Sequence, residues 1–146
     1  MLKTADSLQL AGSRKPEIRS FKDLIVWQKS MDLSIEIYRL TKKFPQAEQF
    51  GLVSQMRRCV VSIPSNIAEG KRRSTRKDFL QFLRIADGSA SELETQLILA
   101  SKLFSLQDTH KSYQLLEEVQ RMLGGMLKRL SLQTVSSKLP TSNLYD

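Results

Sequence analysis

Apolar residues return at intervals of three and four along most of this chain, the spacing that gathers side chains on one face of a helix. The pattern predicts four helices and no strands. The third is the most regular: Phe79, Leu83, Ala86, Ala90, Leu93, Leu97, Ala100 and Phe104 follow at steps of 4, 3, 4, 3, 4, 3 and 4. Such a heptad seam favours left-handed packing at crossing angles near ~20°, the geometry of four-helix bundles. Ser74 is its expected N-cap, with Asp78 in the first turn to complement the amide dipole.

A first helix is expected from Phe21 to Lys43, with Leu24, Trp27, Met31, Ile35 and Tyr38 as its buried seam and Leu33, Ile37 and Leu40 flanking it. Phe44-Pro45 ends it, because the residue before proline is pushed out of the helical region. The second should begin near Glu48 and bury Leu52, Met56, Cys59, Val60, Ile63 and Ile67. Pro64 lies inside that pattern, where it removes one amide donor and crowds the preceding turn, so a kink is expected over residues 60–64, with Gly70 as a terminator. The fourth starts near Asp108, turns Tyr113, Leu116, Leu123, Leu127 and Leu130 inward, and fades after Leu132.

Four amphipathic helices with short connections imply an all-α fold, an antiparallel up-down-up-down four-helix bundle over residues 21–132. Residues 1–20 and 133–146 lack apolar periodicity and read as disordered, flexible arms, with Leu144 and Tyr145 as possible anchors on a neighbour. Phe82, Ile85, Ile98, Leu99 and Leu103 lie beside the seam of the third helix. That second apolar face exceeds what one small bundle buries, so self-association is expected.

Length and composition narrow the class. The chain has 146 residues, enough for one core, and no apolar run near the ~20 residues of a membrane span. The N-terminus mixes Lys3, Asp6 and Arg14 among apolar residues and shows no secretory pattern; with the single Cys59, that points to the cytoplasm. Catalytic chemistry finds little support. His110 is the only histidine, so His-dependent triads and multi-His metal sites are impossible within one chain. Glu92 and Glu94 point in different directions on a helix, and neither Gly124-Gly125 nor Gly70-Lys71 forms a phosphate loop. Cys59 stands beside Arg57 and Arg58, which would lower its pKa if it were exposed, but its helical phase places it inward. The expectation is a non-enzyme without cofactor or metal.

The charge changes the picture more. Lys and Arg number 23 against 15 Asp and Glu, a net +8, and its distribution is uneven. Residues 57–84 hold eight basic side chains (Arg57, Arg58, Lys71, Arg72, Arg73, Arg76, Lys77 and Arg84) against Glu69 and Asp78, a balance of +6. The flanking parts of the bundle nearly cancel, at +1 for 21–56 and −1 for 85–132. If the second and third helices fold back around residues 72–73, Arg57 falls level with about Gly88 and Arg84 with about Val61, giving a basic stripe about 20 Å long. A stripe of this kind suits a sugar-phosphate backbone. Aromatic residues do not interleave with it, so backbone or shape recognition is expected rather than base stacking. The alternatives are a solvated turn with Arg57 or Arg58 paired to Asp87, or an acidic protein partner docked by the same arginines. Ser62, Asn66 and Glu69, facing Ser89 on the third helix, read as a polar interhelical lock.

Phe21-Lys-Asp-Leu, Val26-Trp-Gln-Lys29, Tyr38-Arg-Leu-Thr41, Gln55-Met-Arg-Arg58, Ser62-Ile-Pro-Ser-Asn-Ile-Ala-Glu-Gly70, Phe82-Leu-Arg-Ile-Ala86 and Gly88-Ser89 together resemble the four-helix bundle proteins named after intervening sequences in bacterial 23S ribosomal RNA genes. The resemblance covers residues 21–132, and Cys59 stands where the family pattern has alanine. It implies a small antiparallel bundle that assembles as a ring, commonly a homopentamer. The chain is more distantly similar to accessory subunits of diversity-generating retroelements, basic barrels that bind nucleic acid and a reverse transcriptase. The combined expectation is a homo-oligomeric, non-enzymatic bundle that binds structured RNA, or nucleic acid generally, and no membrane. A scaffold that docks an acidic protein such as a reverse transcriptase is the competing class.

Overall fold

The computed structural model describes residues 15–136. After a 3-10 turn at Phe21–Asp23, α1 spans Ile25–Thr41; a second turn at Gln46–Glu48 leads to α2 at Leu52–Lys71, then α3 at Arg76–Phe104 and α4 at His110–Ser136. Among the described residues there is no strand. The expected arms lie largely outside the described residues, as do Leu144 and Tyr145, while residues 133–136 continue α4 past the predicted fade at Leu132.

Each helix packs on two others, α1 and α3 both lying between α2 and α4, with the α2–α3 contact the most extensive. Partners run in opposite directions: Glu94 meets Gln120 while Ser101 meets Tyr113, and Lys29 meets Glu118 while Glu36 meets Ser112. This is the up-down-up-down bundle that the periodicity predicts. The heptad seam of α3 is its spine, for Leu83, Ala86, Ala90, Leu93, Leu97 and Ala100 have no exposed surface. Each larger side chain so buried is worth about 1.5–3 kcal/mol.

On α1 the structure reverses the expected phase. Leu33, Ile37 and Leu40 are fully buried, whereas Met31, Ile35 and Tyr38 face outward, Ile35 with 67% of its surface exposed. Two apolar series share helical spacing here, and the polar residues beside them decide which goes in. Ser30, Ser34 and Thr41 return their hydroxyls to the carbonyls of Trp27, Ser30 and Ile37 at 2.7, 2.8 and 2.8 Å, so they pack as small core residues.

Three helix-end residues act differently from the sequence expectation, and α2 carries Pro64 in its interior. α2 continues through Pro64, which has no amide to offer Val60; the freed Val60 carbonyl accepts Ser34 Oγ of α1 at 3.4 Å. Glu48 precedes α2 and caps it, its carboxylate accepting the Leu52 amide at 3.3 Å. Thr75, not Ser74, caps α3 by accepting the Asp78 amide at 3.1 Å. Gly70 is a helical contact point: a Cβ there would lie 2.6 Å from Phe82 Cβ, so the missing side chain lets α2 and α3 close together at their turn.

Candidate nucleic-acid interface

The α2–α3 seam is built from small and neutral groups. Ser62 Oγ and Ser89 Oγ share a hydrogen bond at 2.9 Å, and the Asn66 amide donates to the Ser62 carbonyl at 2.8 Å and to its hydroxyl at 3.0 Å. Cys59 donates its thiol to the Ser89 carbonyl at 3.0 Å. Glu69, predicted as a fourth member, instead turns outward to Arg73 at 2.7 Å. Ser62 opposite Ser89 also places the fold-back near Thr75 rather than at residues 72–73, so Arg84 lies level with about Ile67 and Arg57 with about Glu94.

The seam's hydrogen bonds use none of the cations of either helix. Arg58, Arg72, Arg76, Lys77 and Arg84 are exposed and form no ion pair among the described residues. Arg73 is partly committed, pairing with Glu69 and lying 4.9 Å above the Phe82 ring. Lys71 sits 6.0 Å over Phe79. Arg57 turns towards α1, where its Nε donates to Thr41 Oγ1 at 3.0 Å and its guanidinium lies 4.7 Å above the Tyr38 ring. Neither Arg57 nor Arg58 pairs with Asp87 among the described residues.

The absence of interleaved aromatics holds along the sequence but not in space. Tyr38 from α1 and Phe50 from the turn before α2 stand beside Arg57 and Arg58, lining an open groove of ≈ 670 Å³. Phe50 is 95% exposed. The reversed phase of α1, which turns Tyr38 outward, is what assembles this groove and what sequence periodicity could not show.

Thiol chemistry finds no setting here. Burial pushes the Cys59 thiol up to about 12, with the Glu92 carboxylate adding to the shift, so the nucleophilic thiolate is suppressed at neutral pH. No group of three or more His, Cys, Asp or Glu able to hold a metal occurs among the described residues, and no described helix is long and apolar enough to cross a membrane.

Sequence reading missed a second polar site, at the α1–α4 contact. Glu36, 3% exposed, forms an ion pair with Arg39, lies 3.8 Å from Lys111 Nζ, and accepts the Ser112 hydroxyl at 3.4 Å. The Arg39 hydrogen bond outweighs burial and holds the carboxyl below its ordinary range. An acid between Leu33 and Ile37, three residues before an arginine, was the available signal.

The comparisons agree with this architecture. A crystal structure described as a protein of unknown function from the S23 ribosomal protein family of Bacteroides thetaiotaomicron is 26% identical to the chain. It superposes with a TM-score of 0.65, covering 71% of this chain and 99% of that one. No curated protein matches. The model of the family described as 23S rRNA-intervening sequence protein matches residues 22–125, nearly the whole bundle. The chain therefore belongs to the 23S rRNA-intervening sequence protein family.

Proposed function

We propose that this chain is a non-enzymatic, self-associating bundle that binds structured RNA through the exposed cations of α2, α3 and their turn. The observation that carries the reading is five exposed cations without an acidic partner among the described residues, Arg58, Arg72, Arg76, Lys77 and Arg84, on two adjacent helices whose shared seam is neutral. Phosphates can neutralise such groups with release of counterions. Self-association is supported by Ile98, Leu99 and Leu103 on α3, exposed by 41, 47 and 60%.

The test is RNA affinity across a salt series. Binding should fall steeply with ionic strength, and Arg72→Glu with Arg76→Glu should reduce it at least tenfold while shallowing the salt slope by about one unit per lost phosphate contact. Arg73 is left intact, since its charge is shared with Glu69. A wild-type protein that ignores RNA at low salt ends the reading in favour of an acidic protein partner. A monomer-sized particle by light scattering ends the self-association claim separately.

A further inference from the structure

We propose that the groove between α1 and α2 receives an unpaired nucleotide of the bound RNA, stacking its base on Phe50 and holding its phosphate at Arg58. The inference rests on the nucleic-acid reading above and assigns that interface a second, base-stacking part. A phenylalanine stabilises a fold by being buried, yet Phe50 is 95% exposed and gives the bundle almost none of its surface. Beside it Tyr38, 42% exposed, carries the Arg57 guanidinium at 4.7 Å, and Arg57 Nε donates to Thr41 Oγ1 at 3.0 Å. An aromatic ring and a flat, pinned guanidinium are the surfaces on which splayed-out RNA bases stack.

The lining also selects among occupants. It contains two arginines and no acidic residue, and its volume of ≈ 670 Å³ is within the range of small-ligand clefts. A duplex offers phosphates but keeps its base faces stacked on one another, so it leaves Phe50 without a partner. A second copy of this chain, at a net +8, brings poor counter-charge to a cationic lining. An unpaired nucleotide supplies both a π-face and a negative charge. The path out of the groove suits a strand as well: Arg58, Ser65 and Arg72 recur every seven residues along α2 and its C-cap, about 10 Å apart on nearly one line, leading to the basic turn.

The experiment measures fluorescence anisotropy with a short single-stranded oligouridylate, the same oligomer with abasic sites, and a blunt duplex RNA. Phe50→Ala should weaken the single strand about tenfold, the size of one lost base stack, and leave the duplex unchanged. Phe50→Trp should restore the single-strand affinity. Abasic oligomer should bind wild type and Phe50→Ala alike. Equal single-strand affinity of wild type and Phe50→Ala overturns the groove while leaving duplex binding, and the parent reading, intact. A Phe50→Ala protein of altered mass by light scattering with unchanged single-strand affinity makes the groove a subunit contact and also overturns it. Loss of all RNA binding by the wild type ends the parent reading first.

Discussion

The bundle has two opposite contacts made by different chemistry. Along α1–α4, charge is met by charge: Glu36 with Arg39 and Lys111, and Lys29 with Glu118 at 2.9 Å. Along α2–α3, the contact is made by alanines, Gly70 and the Ser62–Asn66–Ser89 hydrogen bonds, and its neighbouring cations are left to solvent. The difference shows acidic residues closing the fold along α1–α4, while Arg58, Arg72, Arg76, Lys77 and Arg84 beside the α2–α3 seam form no ion pair among the described residues. In the proposed interface the bases of residues 57–84 outnumber the two acids, Glu69 and Asp78, and only Arg73 is ion-paired among the described residues.

The sharpest way to break the comparison is to test which face α1 presents to the core. Leu33→Ala should destabilise the protein by about 2–5 kcal/mol, whereas Ile35→Ala, two residues away and 67% exposed, should stay within about 0.5 kcal/mol. Urea denaturation of both variants decides it, and equal losses would mean the phase described for α1 is wrong. Next in size is the close approach at the α2–α3 turn. Gly70→Ala forces Phe82 aside and should destabilise by about 1–3 kcal/mol. Gly88→Ala, where an added Cβ meets nothing, should stabilise by about 0.5–1 kcal/mol through helix propensity. Opposite signs from one substitution type are the signature, and matching signs would remove the close-packing argument.

These variants also show what the sequence could and could not tell. The α3 seam was legible because its apolar residues keep one unbroken heptad phase over 26 residues, from Phe79 to Phe104, which the flanking apolar residues do not. The phase of α1 was not, because Ser30, Ser34 and Thr41 satisfy their hydroxyls on their own helix and behave as apolar positions while being written as polar ones. Charge counting located Arg58, Arg72, Arg76, Lys77 and Arg84, since eight cations on residues 57–84 outnumber the two acids there and the surplus stays without an ion pair among the described residues. It misjudged Glu69, whose i,i+4 arginine outcompeted the interhelical partners, and it could not bring Tyr38 and Phe50 to Arg57, which needs the α1–α2 register. Smaller than the glycine effects is the deletion of one lock hydroxyl. Ser62→Ala unpairs Ser89 Oγ and one Asn66 bond and should reduce stability by about 1 kcal/mol, read from the urea midpoint. An unchanged midpoint would remove the Ser62 hydroxyl from what holds the α2–α3 seam.

The smallest effect at neutral pH, and the most selective, is the acid response of the ion-paired contact. Glu36 has its pKa lowered in the fold, so it binds its proton less readily there than in the unfolded chain. Its stabilising contribution is therefore complete above the ordinary carboxylate range and is lost as pH falls below that range and through the depressed value. Glu118, lowered by Lys29, acts in the same direction at the other end of the same contact. The α2–α3 lock is made of hydroxyls, an amide and a thiol held protonated, and Glu92, the carboxylate beside that thiol, forms no ion pair among the described residues, so acid breaks no ion pair there. Melting temperature followed from neutral pH into acid should fall for the wild type and fall less steeply for Glu36→Gln, which starts slightly lower because the charge that Arg39 and Lys111 met is gone. Ser62→Ala should instead shift the whole curve down without changing its acid slope. If Glu36→Gln keeps the wild-type slope, the α1–α4 contact is not held by charge and the distinction between the two seams collapses to one of packing alone.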